Sequence, residues 1–158
     1  MIRLSNGDSF PSISIELVSG VRLNLPADLA GSFSVVLLYR GAFCPYCNAQ
    51  LAGFARAAST LAELGVQVVA LSVDDRPTSA ALVEKLRLPF AVGYGADADA
   101  IAGVTGAYVN ESPHHLQTTG FILDPNGRVL TAVYSSGAIG RLVADDVVGF
   151  IRYLKAHH

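Results

Sequence analysis

Both cysteines of the 158-residue chain, Cys44 and Cys47, lie in one Cys-x-x-Cys. In a small secreted scaffold cysteines are spread out as staples. A lone close pair points instead to catalysis, redox sensing or half of a metal site. Pro45 suits the first position of a helix, where its missing N–H would be unpaired anyway, so Cys44 is a candidate N-cap. A thiolate there faces free backbone N–H groups and the positive end of the helix dipole, which lower its pKa from the free value of about 8.5. A fall to about 6 lifts the thiolate share at pH 7 from roughly 3% to roughly 90%. Cys47 falls on the same helical face and on the apolar stripe, so its sulfur should reach Cys44 while being less exposed. This difference predicts that Cys44 attacks substrate. Cys47 then resolves the resulting mixed disulfide or sulfenic acid by closing a Cys44–Cys47 disulfide. Arg40, four residues before Cys44, is the nearest cation in sequence. Two readings of it stay open: a side chain turned toward the sulfur, stabilising the thiolate or a peroxide oxygen, or a solvated charge at a strand end. Tyr39 is read as core.

The elements that must position this pair follow from hydrophobic periodicity. Ile13, Ile15 and Leu17 alternate with polar residues, Ser19-Gly20 offers a turn, and Val21, Leu23 and Leu25 follow, the pattern of a hairpin. Pro26 to Gly31 reads as a loop. Phe33 to Tyr39 reads as a strand covered on both faces, and Val66 to Leu71 as another. Between them Cys47, Leu51, Phe54, Ala58, Leu61 and Leu64 form one stripe of a long helix stopping at Gly65. Strand, helix, strand implies a right-handed crossover, which places the loop before Cys44 at the carboxyl end of a central strand, where open α/β sheets hold their chemistry. The alternation continues with a Pro77-started helix through Leu86, a short strand around Phe90 to Val92 and a helical turn from Asp97 to Ala102. Asp124-Pro125-Asn126-Gly127 is a turn between strands Gly120–Leu123 and Val129–Tyr134, and Ala144, Val147, Val148, Ile151 and Leu154 mark a closing helix. The expected architecture is α/β, a mixed sheet with helices on both faces, with residues 1–158 as one domain.

Composition narrows the function classes. Apolar residues reach 51% and charged residues only 15%, against about 25% charged in an average domain, which excludes intrinsic disorder. The net charge of −2 leaves no basic patch for nucleic acid. The run Val35 to Leu38 is far short of the roughly 20 apolar residues of a membrane span, and Met1 to Phe10 is too polar for a signal peptide. A cytoplasmic protein without membrane contact is expected, and the high apolar content suggests a homodimer. His114-His115 are the internal candidates to complete a zinc site, but adjacent histidines beside Ser112 and Pro113 read as an exposed loop, and no metal is expected. His157-His158 read as a terminal tail. Gly93-x-Gly95-x-x-Ala98, with Glu111 downstream, matches a dinucleotide fingerprint only superficially, because its strand is short and its helix ends by Gly103. It reads as a glycine-rich turn. Asp74-Asp75 are read as caps of the Pro77 helix, and Arg141 stands in the loop before the last helix with no spacing that ties it to the cysteines.

The segments Val36-Leu37-Leu38-Tyr39-Arg40-Gly41-Ala42-Phe43-Cys44-Pro45-Tyr46-Cys47 and Thr119-Gly120-Phe121-Ile122-Leu123-Asp124-Pro125-Asn126-Gly127-Arg128 resemble a redoxin. They are similar to the peroxiredoxin-like proteins of the alkyl hydroperoxide reductase and thiol-specific antioxidant family, which have the thioredoxin fold. The resemblance implies a thioredoxin-like domain with an N-terminal hairpin. It also implies a thiol-dependent oxidoreductase reducing hydroperoxides through Cys44, with Cys47 resolving. Three departures are visible. Peroxiredoxins carry Thr or Ser three residues before the reactive cysteine, where this chain has Gly41, and an Arg where this chain has Thr118. The Pro45-Tyr46 dipeptide is what glutaredoxins have between their cysteines. The alternative is therefore a dithiol–disulfide oxidoreductase acting on protein or glutathione mixed disulfides. However, no proline closely precedes Gly120 to face the pair, as one does in thioredoxins and glutaredoxins. A third reading is a redox sensor or metal-binding module. No flavin, haem or nicotinamide is expected, so electrons should come from an external thiol of thioredoxin, glutaredoxin or glutathione type.

Overall fold

The computed structural model describes residues 3–157. Its element order is β1 (Ile13–Leu17), β2 (Arg22–Leu25), a 3-10 turn (Ala27–Leu29), β3 (Phe33–Leu38), α1 (Pro45–Arg56), α2 (Ala58–Glu63), β4 (Val66–Leu71), α3 (Arg76–Leu86), β5 (Ala91–Tyr94), α4 (Ala98–Thr105), β6 (Val109–Asn110), β7 (His115–Leu116), β8 (Thr119–Leu123), β9 (Val129–Tyr134) and α5 (Ala144–Ala156). Seven strands form one mixed sheet in the order β2-β1-β5-β4-β3-β8-β9. β3 and β4 are parallel, with Val36 beside Val69, and β4 continues parallel to β5. β8 runs antiparallel to β3, with Phe121 beside Val36, and pairs antiparallel with β9. The opening hairpin joins through an antiparallel β1–β5 contact.

Side chains of β3 alternate between two cores, as a strand covered on both faces requires. Val35 and Leu37 pack with residues of α1, α2, α3 and α5, among them Leu51, Phe54, Leu61, Leu82, Val147 and Ile151. Val36 and Leu38 pack with Ile101 of α4, Leu116 of β7, Phe121 and the hairpin residues Ile13, Ile15 and Leu25. Cys44 and Cys47 belong to the first core.

Several boundaries differ from the sequence expectations. The long helix is two: it breaks at Ala57, whose ψ of 2° lies outside the helical well. Ser59 and Thr60 follow, both weaker helix formers than the alanines and leucines around them. The stripe survives the break, because Leu51, Phe54 and Leu61 stay buried. The third helix starts at Arg76, one residue before Pro77, with Asp75 alone as its cap, accepting from Thr78 N–H at 2.9 Å. The turn read as ending at Ala102 runs through Gly103 to Thr105 and stops at Gly106, whose φ of 81° ends it. Gly93 is not in a turn but inside β5, where a Cβ would meet Leu71 Cδ1 at 2.9 Å. The stretch 26–31 contains the 3-10 turn, and the two-residue ladder of β6 with β7 carries too little pattern to be read from sequence. Among the described residues, no helix is long and apolar enough to cross a membrane. Of the two terminal histidines, His157 stacks on Tyr153 with centroids 4.2 Å apart, while His158, like Met1 and Ile2, lies outside the described residues.

Candidate active site

The site begins where β3 ends. Arg40 through Phe43 leave the carboxyl end of this interior strand, and α1 starts at Pro45 with Cys44 as its N-cap. Cys44 has extended backbone angles (φ −90°, ψ 113°), and its Sγ accepts the N–H of Cys47 at 3.3 Å, the bond a capping oxygen makes at that position. The loop is pinned at one residue, through the peptide groups on either side of it. Ala42 N–H donates to Asp74 Oδ2 at 2.8 Å, and Ala42 carbonyl accepts from Asn48 Nδ2 at 3.1 Å. Asp74 was expected as a helix cap; it instead reaches from the end of β4 to the cysteine loop.

Gly41, the position where peroxiredoxins have a hydroxyl residue, has a φ of 152°. A Cβ there would lie 2.7 Å from the Phe43 ring and 3.1 Å from Asp74 Oδ1. No side chain fits at this point unless Phe43 moves. Thr118, the position where an Arg was expected from the family pattern, is buried, with its Oγ1 3.8 Å from Cys47 Sγ. A short polar side chain thus faces the pair, while Pro113 lies away in the β6–β7 turn.

Arg40 turns inward. Its Nη1 lies 3.8 Å from Cys44 Sγ, its Nε donates to Gln117 Oε1 at 3.0 Å, and its guanidinium sits 5.5 Å from the Phe43 ring centre. The reading of a solvated charge is therefore set aside. A second cation, Arg141, arrives from the loop before α5 with Nη1 3.4 Å from Cys47 Sγ, and Cys47 Sγ also accepts the Arg40 N–H at 3.4 Å.

The expected contrast in exposure is absent: Cys44 is 1% exposed and Cys47 0%. Their electrostatics differ instead. Burial pushes the Cys44 thiol up, but hydrogen bonds from the Cys47 thiol, the Cys47 N–H and Arg40, with the charge of Arg141, bring it below the ordinary value. Burial pushes Cys47 up, and its bond to Cys44 adds to this against Arg141 and the Arg40 N–H, so it ends above the ordinary value. The two thiols are thus shifted in opposite directions: hydrogen bonds outweigh burial at Cys44, and burial leads the upward shift at Cys47.

Sequence reading missed Asp74 as a loop anchor, Asn48, Gln117 and the contact of Arg141. It also misplaced His115, which is 3% exposed, bonded through Nδ1 to Leu116 O at 2.9 Å and tilted against Phe43 with centroids 5.3 Å apart. Apart from Asn48, which follows Cys47 in α1, no local signal marks these residues, because they reach the cysteine loop from far along the chain, Asp74 from 32 positions beyond Ala42 and Arg141 from 94 beyond Cys47. His114 faces Asp99 and Glu111 at 3.2 and 3.8 Å. Among the described residues, no group of three or more His, Cys, Asp or Glu side chains gathers as a metal-ligand set.

A family model described as the AhpC/TSA family matches residues 6–132. The chain belongs to the AhpC/TSA family. Within this family it is 28% identical over 153 residues to a peroxiredoxin of Treponema denticola, covering 94% of this chain and 73% of that one. It is 30% identical over 159 residues to peroxiredoxin 1 of Caldanaerobacter subterraneus subsp. tengcongensis, covering 95% and 70%. Among solved structures, peroxidoxin BcpB from Mycobacterium tuberculosis superposes with a TM-score of 0.81 at 20% identity, covering 96% of this chain and 99% of that one. AhpC of the same organism superposes with a TM-score of 0.81 at 19% identity, covering 99% and 96%. The fold is the thioredoxin-like fold of the peroxiredoxins, with its mixed sheet between helices. As an AhpC/TSA member the protein is a peroxiredoxin-like, thiol-dependent oxidoreductase with antioxidant activity, and the disulfide-exchange alternative is not favoured.

Proposed function

We propose that Cys44 is the sulfur that attacks the hydroperoxide and that Cys47 resolves it, with Arg40 as the cation that holds the attacking thiolate. The observation that carries this is the position of Cys44 Sγ, which accepts the Cys47 N–H at 3.3 Å and faces Arg40 Nη1 at 3.8 Å. The Cys44 thiolate attacks the terminal oxygen of the hydroperoxide. The O–O bond breaks, Cys44 becomes a sulfenic acid, and the alkoxide or hydroxide takes a proton and leaves. Cys47, as thiolate, attacks the Cys44 sulfur; the S–O bond breaks, hydroxide leaves as water, and a Cys44–Cys47 disulfide closes. Two thiol equivalents from an external donor then restore the dithiol. Phe43 and Tyr46, next to the cysteines in sequence and 58% and 55% exposed, offer the donor an apolar approach.

The test is stopped-flow oxidation of the reduced protein by hydrogen peroxide with intact-mass analysis of the product. Oxidation orders of magnitude faster than a free thiol, ending in one intramolecular disulfide, is expected. Cys44→Ser should abolish it, and Cys47→Ser should keep the first step but stop at sulfenic or higher acids. Oxidation no faster than free thiolate, or retention of fast oxidation in Cys44→Ser, overturns the assignment. Reduction of insulin disulfides, run in parallel, should be the slower reaction.

A further inference from the structure

We propose that the two cations divide the two sulfurs, with Arg141 holding Cys47 as the attacking thiolate in disulfide closure while Arg40 serves Cys44. This rests on the roles given above to Cys44 and Cys47.

Cys47 must lose its proton at a site with no exposed surface. Two donors meet its sulfur: Arg141 Nη1 at 3.4 Å and the Arg40 backbone N–H at 3.4 Å. The Arg40 guanidinium is engaged elsewhere, on Gln117 and Cys44. Arg141 is thus the charged group in hydrogen-bond contact with this sulfur. It is held there deliberately by its surroundings. Its Nη2 donates to Ala138 O, its guanidinium lies 6.0 Å from the Tyr46 ring centre, and the next residue, Leu142, accepts from Gln50 Nε2 at 2.7 Å. Gln50 is on α1, one turn beyond Cys47, so the loop carrying Arg141 is tied to the helix carrying its sulfur.

The order of the chemistry gives Arg141 its moment. In the reduced protein burial first, then the hydrogen bond with Cys44 and the charge Cys44 carries when ionised, push the Cys47 thiol up, while the Cys44 thiol is shifted down. Attack on peroxide converts Cys44 to a neutral sulfenic acid, and the charge leaves with the alkoxide. Nothing at Cys44 then opposes ionisation of Cys47, whose proton passes to the departing alkoxide or to solvent, and Arg141 becomes the counter-ion of the new thiolate. That thiolate forms the S–S bond as the S–O bond breaks and hydroxide takes up a proton. Arg141 thereby acts on the second step far more than on the first.

Rapid-quench single turnover with hydrogen peroxide separates the two steps in wild type, Arg141→Gln and Arg141→Lys. Arg141→Gln is expected to slow sulfenic acid formation only slightly, through the loss of a charge that acts on Cys44 without bonding to it, but to close the disulfide about tenfold more slowly, one pKa unit being a factor of ten. The protein carrying one added oxygen should accumulate, and Arg141→Lys should recover part of the closure rate. The second readout is alkylation of Cys47 against pH in a Cys44→Ser background. There the groups facing Cys47 are Tyr39 and Arg40 just after β3, Thr118 ahead of β8, the residue at 44 and Arg141. Adding Arg141→Gln should raise the alkylation midpoint, a shift that a purely structural role would not produce. Unchanged closure together with an unmoved midpoint overturns the proposal. Absence of any oxidation of Cys44 in Cys47→Ser, where closure cannot consume the sulfenic acid, would instead refute the site roles, and the Cys47 midpoint would still decide whether Arg141 holds that sulfur.

Discussion

Because hydrogen bonds from Cys47 and Arg40 favour Cys44 as a thiolate, its reactivity should persist at pH values where a free thiol has protonated. The sign follows from the direction of the shift: a lowered pKa leaves more thiolate at neutral pH, so the rate against pH should have its midpoint below that of free cysteine. Arg40→Gln removes one of these stabilising partners and should move that midpoint up. The rate at pH 7 should drop several-fold, about tenfold for each unit of upward shift, while the two proteins converge in alkali where both are ionised. Equal midpoints for wild type and Arg40→Gln would show that the guanidinium at 3.8 Å contributes nothing to the thiolate. At the same scale, Gly41→Thr tests the family departure. The φ of 152° and the 2.7 Å approach to Phe43 mean that the added side chain strains the loop instead of supplying a useful hydroxyl. A loss of about 1–3 kcal/mol in urea unfolding is expected, with no gain in peroxide rate.

The element that matters most is the first turn of α1. Cys44 at the N-cap and Cys47 in the first turn already have the Cys44 sulfur on the Cys47 N–H, so closing a disulfide asks the sulfurs to move and not the helix to unwind. Amide hydrogen exchange across the rest of α1, through Arg56, should therefore be alike in the reduced and oxidised protein. Markedly faster exchange after oxidation would mean that the turn opens. Asp74, in the loop after β4, holds the Ala42 N–H and Asn48 of α1 its carbonyl, so the cysteine loop is fixed from two sides. Asp74→Ala leaves the Ala42 N–H without its acceptor. It should slow peroxide oxidation while leaving far-UV circular dichroism unchanged.

Across the whole molecule the sheet separates stability from chemistry. The cysteines share their core with α1, α3 and α5, whereas Phe121 packs on the opposite face, edge-on to Phe10 at 5.2 Å and Tyr134 at 5.7 Å. Phe121→Ala should cost about 3–5 kcal/mol of unfolding free energy, as expected for an emptied aromatic site. Wherever the variant is folded, its peroxide rate should stay near wild type. A large loss of rate in fully folded Phe121→Ala would show that the two faces are coupled through β3 and β8.

What the residues determined alone were the features written in local pattern. The apolar runs of β3 and β4, the hairpin flanking Asp124 to Gly127 and the stripe of α1 and α2 set the parallel crossover and put Cys44 at a helix start. Pro45 after Cys44 and the three-residue spacing to Cys47 were enough to expect an N-capping thiol with a partner in reach. The break at Ala57 and the extension of α4 through Gly103 escaped, because intrinsic propensities there differ by fractions of about 1 kcal/mol and packing outweighs them. The electrostatic difference between the sulfurs was decided only in three dimensions. Sequence pattern reports which face of an element is apolar, but it does not report which charges converge on a point. Arg40 had two open readings, toward the sulfur or into solvent, until Gln117 came alongside from 77 positions away, and Arg141 reaches Cys47 across 94 positions because Leu142 is tied to Gln50.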